Sequence, residues 1–191
     1  KKSKLALTEK MRFRDAPRIM DFRKETDANP ENNWEHYNKC QLRAHAREKQ
    51  FPVLRFPATH EGIPQDEGLA IENNHFNDLP AYLEVAEEAR ILLTMNLNVE
   101  QGLLNGSQGI LKGYVFESGH HPNHEDPSCR SPAFLVVDIP KYDGPSFWNE
   151  DQYPERKTWI PLAPKRIPNA TDSNVYRLQF PIVLAWALTP W

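Results

Sequence analysis

Seventeen prolines are scattered along a chain of 191 residues, nearly twice the ~5% of an average protein. Each one fixes its own φ, lacks a donor N–H and disfavours helix at the residue before it. Long uninterrupted helices should therefore be few, and the chain must be built from short elements joined by turns. The clearest helix is one that tolerates its proline. In "DANPENNWEHYNKCQLRAHAREKQ", Asn29 suits the N-cap and Pro30 the first helical position, where a missing N–H costs nothing. Glu31 complements the positive end of the dipole, Trp34, Tyr37 and Leu42 share a face, and Arg47 and Lys49 suit the last turn. "FPVLRFPAT" (51–59) follows as a short strand between Pro52 and Pro57, so helix then strand reads as an α/β layer. Residues 60–81, with Gly62, Pro64, Gly68 and Pro80, read as a connecting loop.

From Ala89 the texture changes. "ARILLTMNL" (89–97), "QGILKGYVF" (108–116), "AFLVVDI" (133–139), "TWIPL" (158–162) and "VYRLQFPIVLAWAL" (175–188) are five strand-like runs. They are separated by turn chemistry at Asn105-Gly106, at Asp143-Gly144-Pro145 and over Asn169 to Asn174. Asn-Gly favours a hairpin because both residues tolerate positive φ. Short strands at this spacing predict a small barrel or sandwich. Two polar inserts, 117–130 and 146–157, read as surface loops. Four of the eight glycines fall between Asn98 and Val115, yet they make no phosphate loop. Five residues on from Gly102 stands Ser107, and from Gly106 stands Leu111, where G-x-x-x-x-G-K-[ST] requires glycine. No G-x-G-x-x-G is present either. The glycines are turn punctuation and close-packing positions.

Hydrophobic residues make up 39% and charged residues 26%, the balance of a globular chain rather than a disordered one. Apolar runs are only a few residues long, too short for a helical membrane span. The start, "KKSKLALTEK", lacks the apolar core of a signal peptide, and without an initiator Met the chain reads as a fragment. Cys40 and Cys129 cannot make a disulfide framework, which fits a reducing interior. The sequons Asn105-Gly-Ser and Asn169-Ala-Thr match a short pattern that arises by chance. Residues 1–24 hold nine Lys/Arg against three Asp/Glu, a net of +6, which leaves −9 for the remainder of a chain whose net is −3. A basic segment contacts phosphates or is a solvated surface, and charge alone does not decide.

No self-contained active site is legible. His120, His121, His124 and Cys129 carry zinc-type donors, but there is no C-x-x-C, and Pro122 and Pro127 restrict the loop. An exposed histidine-rich insert is the alternative. Glu125/Asp126 and Asp138/Asp143 are carboxylate pairs of the kind general acid–base catalysis uses, and equally of the kind that solvates a surface. No nucleophile signature of the G-x-S-x-G or H-E-x-x-H type occurs. Among the aromatics Trp34, Phe147, Trp148, Trp159, Trp186 and Trp191, Trp186 in "VLAWAL" reads as core. Phe147 and Trp148, inside an insert, are the candidates for stacking on bases.

Read in order, three segments resemble one family. "ARILLTMNLNVEQGLLNGSQGILKGYV" resembles the A-R-V-M-L-x-x-N-L-D-x-x-x-G-L-x-N-G-x-x-G stretch of Pif/RecD-like superfamily-one DNA helicases. "KYDGPSFW" with "TWIPLAP" is similar to the Y-x-G-P-S-F and V-P-I segments of eukaryotic and Helitron-transposon members. "LQFPIVLAWALTPW" is similar to Q-x-P-L-x-L-A-W-A-x-T, which in the family runs into K-x-Q-G-x-T. More weakly, "APRIMDFRKETDANPENNWEHYNKCQL" resembles the A-x-R-L-x-P-T…N-x-x-x-L element upstream. The resemblance implies an α/β fold: a partial second RecA-like motor domain over 1–88, an inserted all-β Src-homology-type barrel over 89–180, and a return strand over 181–191.

It also implies an ATP-dependent 5′ to 3′ DNA helicase of repair or recombination, with ATP and Mg²⁺ bound by the full-length protein. Its partners would be single-stranded DNA and a first motor domain, with no membrane, in an intracellular setting, nuclear or mitochondrial. This chain departs from the family pattern in carrying no phosphate loop, no acidic Walker B pair and no first motor domain, so alone it should bind and hydrolyse no ATP. Asn98 also stands where the family has Asp. Carried over by position, Asn96, Asn105 and Gly106 match the N-L-D and N-G positions, Thr189 the threonine that leads into the last motif, and Asn38 the upstream asparagine. Lys112, Lys141 and, less directly, Arg177 would reach phosphates, while Phe147 and Trp148 would stack on bases. For Asn96, Asn105 and Gly106 a turn-forming role stands beside DNA contact. A non-catalytic nucleic-acid- or protein-binding barrel, or a transposon remnant, is the competing reading of the whole.

Overall fold

The computed structural model describes residues 34–125 and 129–186, so the expected N-cap at Asn29, the basic segment 1–24, Thr189 and Trp191 lie outside the described residues. Helix α1 spans Trp34–Lys49. Its buried face is Asn38, Leu42 and Ala46, spaced by four as one side of a helix requires. Leu42 was legible as apolar; Tyr37 sits only half-buried on the shoulder. This face packs on Ala86, Ala89, Leu184 and Trp186, and His45 Nε2 lies 3.0 Å from Glu87 O. Trp186 is half-buried there, at the edge of a small cluster.

The rest is mostly sheet. Strands β1 (Leu54–Pro57) and β3 (Tyr82–Val85) form an antiparallel ribbon. β4 (Arg90–Leu93), β5 (Gln108–Val115), β6 (Phe134–Asp138), β7 (Trp159–Leu162) and β10 (Ile182–Leu184) form a five-stranded sheet in the order β10-β4-β5-β6-β7. β2 (Thr59–Glu61), β8 (Lys165–Pro168) and β9 (Tyr176–Gln179) form a third sheet, ordered β2-β9-β8. Every pairing is antiparallel. Among the described residues no helix is long and apolar enough to cross a membrane.

Alternation builds the core. In β4, Ile91 and Leu93 are buried while Arg90 and Leu92 face away, the period of two that a pleated strand imposes. Leu111, Leu135, Val137, Ile160, Leu162 and Ile182 add to the same inner face, and Phe56, Leu83 and Val85 of the ribbon close over it. One core therefore runs from β1 to β10. Between Leu111 and Gly113 the β5–β6 register shifts, a bulge that gives Lys112 no partner across the ladder.

The closed barrel expected from the sequence does not form among the described residues. The five-stranded sheet ends at β7, whose Pro161 lies opposite Val136. A proline offers no N–H to a further strand and so marks an edge. After Ala163-Pro164 the chain enters β8, which pairs with β9 in another sheet. The segment 60–81, expected as loop, contains part of β2, helix α2 (Gln65–Ala70) and a 3-10 turn at Asn73–Phe76. Its order comes from a residue a hundred positions away. Arg177, read as a phosphate contact, is instead fully buried.

Arg177 donates from Nε to His60 Nε2 (2.9 Å), from Nη1 to Asn73 Oδ1 (2.8 Å) and Leu79 O (2.8 Å), and from Nη2 to Gly68 O (3.0 Å) and Ile71 O (2.8 Å). All five guanidinium donors are used. The group lies 4.2 Å over the Phe76 ring. Burial lowers its pKa to about 10, so the charge persists at neutral pH. Because His60 accepts at Nε2, its Nδ1 carries the proton and faces Gln65 Oε1 at 3.2 Å. Burial, opposed by the Gln65 bond and aided by the Arg177 charge, lowers the His60 pKa below 6.5.

Folded His60 thus resists protonation more than it does in the unfolded chain. As pH falls below about 6.5, the unfolded chain takes up the extra proton and stability drops, levelling off beneath the folded value. The urea midpoint should fall across that window, and His60→Gln should remove this part of the slope. An unchanged slope in that variant would show that His60 is not the titrating group.

Candidate nucleic-acid interface

The 94–107 connection between β4 and β5 is held by its own polar groups. Leu93 N–H donates to Ser107 O and Gly106 N–H to Leu93 O, which extends the strand pairing to the root of the loop. Asn96 Oδ1 accepts from Asn105 N–H at 2.7 Å. Asn98 Nδ2 donates to Gln101 Oε1 at 2.9 Å, and Ser107 Oγ to Gly102 O at 3.1 Å. The Asn-Gly pair does not form the hairpin tip with both residues at positive φ. Ser107 N–H closes on Leu104 O, and only Gly106 is left-handed, at φ 87°. That is the third position of a turn, which type II turns reserve for glycine.

The other glycines answer the phosphate question on geometry. A Cβ at Gly102 would sit 2.2 Å from Lys141 O, and one at Gly109 would sit 2.7 Å from Asp138 O. These glycines admit carbonyl oxygens of neighbouring segments, which repel an anion. Neither glycine opens onto a phosphate cradle.

Beside this loop lies a cleft of about 850 Å³, within the range of ligand sites. Its walls are Asn38 and Lys39 of α1, Asn73, Asn77 and Asp78 of the turn region, Tyr82 to Glu84 of β3, Thr94 to Asn96, Asn105, Gly106, Gln108, and β10. Leu92 and Val183, which pair across β4 and β10, belong to the outer face and form an apolar floor. Asn38, Asn96, Asn105 and Gly106, four residues singled out in the sequence, meet here from two segments, α1 and the 94–107 loop. Asn73, Asn77, Thr94 and Gln108 were not anticipated. Asn77 and Asp78 stand consecutively at φ 53° and 58°, a conformation asparagine and aspartate tolerate better than most residues. Thr94 Oγ1 is buried with no hydrogen-bond partner. The charged lining is one cation, Lys39, and two anions, Asp78 and Glu84, so the cleft is not basic.

The expected phosphate contacts lie elsewhere. Lys112 Nζ is 3.9 Å from Glu88 Oε1 and 5.6 Å from the Trp159 ring centroid. Lys141 is exposed in the turn after β6. The two insert aromatics divide. Trp148 is half-buried, donates Nε1–H to Trp159 O at 3.1 Å and lies under Arg156 at 5.2 Å, so one face and its N–H are engaged. Phe147 is 59% exposed and stacks on Tyr142 with centroids 6.2 Å apart and planes 29° apart. The Tyr142 hydroxyl donates to Pro145 O, and burial raises its pKa. Phe147 and Tyr142 border a smaller hollow of about 270 Å³ with Leu97, Asn98 and Lys165.

In the histidine-rich insert, backbone bonds and Arg130, which donates to His124 O and Glu125 O, organise the loop. Among the described residues no three His, Cys, Asp or Glu side chains come together as a metal site. Asp138 Oδ1 accepts from Thr158 Oγ1 at 2.6 Å, a bond between β6 and the entry to β7. Asp143 lies exposed in the turn beyond.

No family model matches this sequence, and no curated protein matches it. Among solved structures it is similar to the Pif1 helicase from Candida albicans, at 20% identity over 79% of this chain and 32% of that one, with a TM-score of 0.48. It is also similar to unliganded Pif1 from Bacteroides sp., at 16% identity over 78% and 38% of the two chains, TM-score 0.43. Bacteroides Pif1 bound to ssDNA gives 15% identity over 78% and 28%, TM-score 0.40. The chain spans between about a quarter and two-fifths of the length of these proteins.

Proposed function

We propose that this chain is a segment of a Pif/RecD-like DNA helicase, and that it supplies part of the surface holding single-stranded DNA. The observation that carries the reading is the convergence of Asn38, Asn96, Asn105 and Gly106 on one cleft. Those are positions the family resemblance selects, with Asn38 of α1 brought against the 94–107 loop. In this reading residues 89–180 are an insertion in a motor domain made of 1–88 and 181–191. ATP hydrolysis with Mg²⁺, and 5′ to 3′ unwinding, belong to a motor domain that supplies the phosphate loop. Phe147 provides a second contact, a stacking platform backed by Tyr142.

The competing reading, a binding module that works without a motor, is favoured by that same exposed ring. Either way the full chain should bind a single-stranded oligonucleotide in preference to the matching duplex, measured by fluorescence anisotropy. Phe147→Ala should weaken that binding by about 1–3 kcal/mol if one base stacks there. Equal affinity for duplex and single strand would refute the single-strand-binding reading. Adding a phosphate-loop-bearing motor domain in trans separates the two alternatives, because only the helicase segment should gain DNA-stimulated ATP turnover.

A further inference from the structure

The amides of the cleft are not free to turn. Asn73 Oδ1 accepts from both Arg177 Nη1 (2.8 Å) and Ala81 N–H (2.9 Å). Both partners can only donate, so the oxygen and nitrogen of that amide are fixed by chemistry. Both carbonyl lone pairs are occupied. Asn96 Oδ1 is held in the same way by Asn105 N–H at 2.7 Å. At each residue the NH₂ end takes no part in these bonds, while the residue itself lines the cleft. Thr94 also lines the cleft, and its Oγ1 is buried without a partner, the kind of orphan that marks a missing ligand or water. Asn73 and Asn96 therefore offer the cleft donors rather than acceptors, and the net formal charge of the lining is not positive.

This combination is selective. Asparagine reads adenine through a bidentate pair, its oxygen accepting from N6–H while its nitrogen donates to N7. Asn73 has no lone pair left for that arrangement, and Asn96 has one already committed. An NH₂ presented alone suits a carbonyl oxygen, and thymine offers two, O2 and O4. A phosphate would instead call for cations, of which the lining has only Lys39.

We infer that this cleft takes an unstacked keto base of the bound strand, a thymine-type pyrimidine, rather than the phosphodiester backbone. The inference rests on the DNA-binding reading above and adds what the cleft reads. The test uses the full chain and short oligonucleotides of equal length: oligo-dT, oligo-dA, and oligo-dT in which the bases are replaced by abasic sites. Oligo-dT should bind at least tenfold more tightly than the abasic strand, and the oligo-dT to oligo-dA ratio should shrink toward one in Asn96→Asp. That substitution keeps the oxygen that holds Asn105 and turns the donor into an acceptor. Thr94→Val, which removes the orphan hydroxyl at equal volume, should also weaken oligo-dT binding without lowering the urea midpoint. Oligo-dT and the abasic strand binding alike, or both variants leaving the oligo-dT affinity unchanged, would overturn the inference while DNA binding itself stood. Binding of no oligonucleotide would remove the DNA reading and the inference with it.

Discussion

Arg177→Met should lower the unfolding free energy by roughly 3 kcal/mol or more, read as a drop in the urea midpoint at constant m-value. The volume is nearly kept, so packing is not the main loss. What goes is the donor set that satisfies His60 Nε2, Asn73 Oδ1 and the carbonyls of Gly68, Ile71 and Leu79. Each acceptor left dry in the interior costs on the order of 1–3 kcal/mol, and water reaching some of them offsets part of the total. Arg177→Lys separates charge from geometry. An ammonium keeps the cation and Phe76 contact, but has three donors for five acceptors, so its midpoint should lie between wild type and Met. A Lys variant as stable as wild type would mean that charge alone, not the forked geometry, orders residues 60–80.

Gly102→Ala should cost about 2–4 kcal/mol. The residue sits at φ 78°, and its added Cβ would meet Lys141 O at 2.2 Å, a backbone atom that cannot swing aside. Relief requires moving the 98–103 loop away from the 139–143 turn, against the bond from Asp143 N–H to Gln101 O at 3.1 Å. Gly106→Ala is the internal control. Its φ is 87° but nothing lies within 4 Å of the added Cβ, so only the conformational part, about 1 kcal/mol, should be lost. Because the smaller hollow is lined by Leu97, Asn98, Gln101, Tyr142 and Phe147, Gly102→Ala should also weaken single-strand binding. Equal destabilisation by the two substitutions would show that the close approach at Lys141 contributes nothing.

Local chemistry explains which elements the sequence revealed. The helix ending in Arg47 and Lys49 and the runs at 90–93, 108–115, 134–138 and 159–162 carry their own periodicity and turn signals. The polar stretch 60–81 gave no such signal, because its order comes from Arg177 in β9. In "VYRLQF" strict alternation puts Arg177 and Gln179 on the buried face with Val175, but nothing local says that a charged residue will be accepted there. Barrel closure was misread for the converse reason. Strand count was visible, whereas the edge at β7 depends on where Pro161 and Pro164 fall in the three-dimensional order. Of the cleft, the asparagines that match a family motif were legible. Asn73 and Thr94 were not, since their importance lies in one amide pinned by a distant arginine and one hydroxyl left unpaired.

The measurement that bears most directly on the cleft as the DNA-binding surface is backbone hydrogen exchange of the full chain with and without a saturating single-stranded oligonucleotide. Slowed exchange should appear at 73–84, at 92–96, at 105–108 and at 182–184, the segments that wall the cleft, with β8 and the 117–125 insert unchanged. Protection confined to β8, β9 or that insert, with the cleft segments exchanging as in the free chain, would contradict the account.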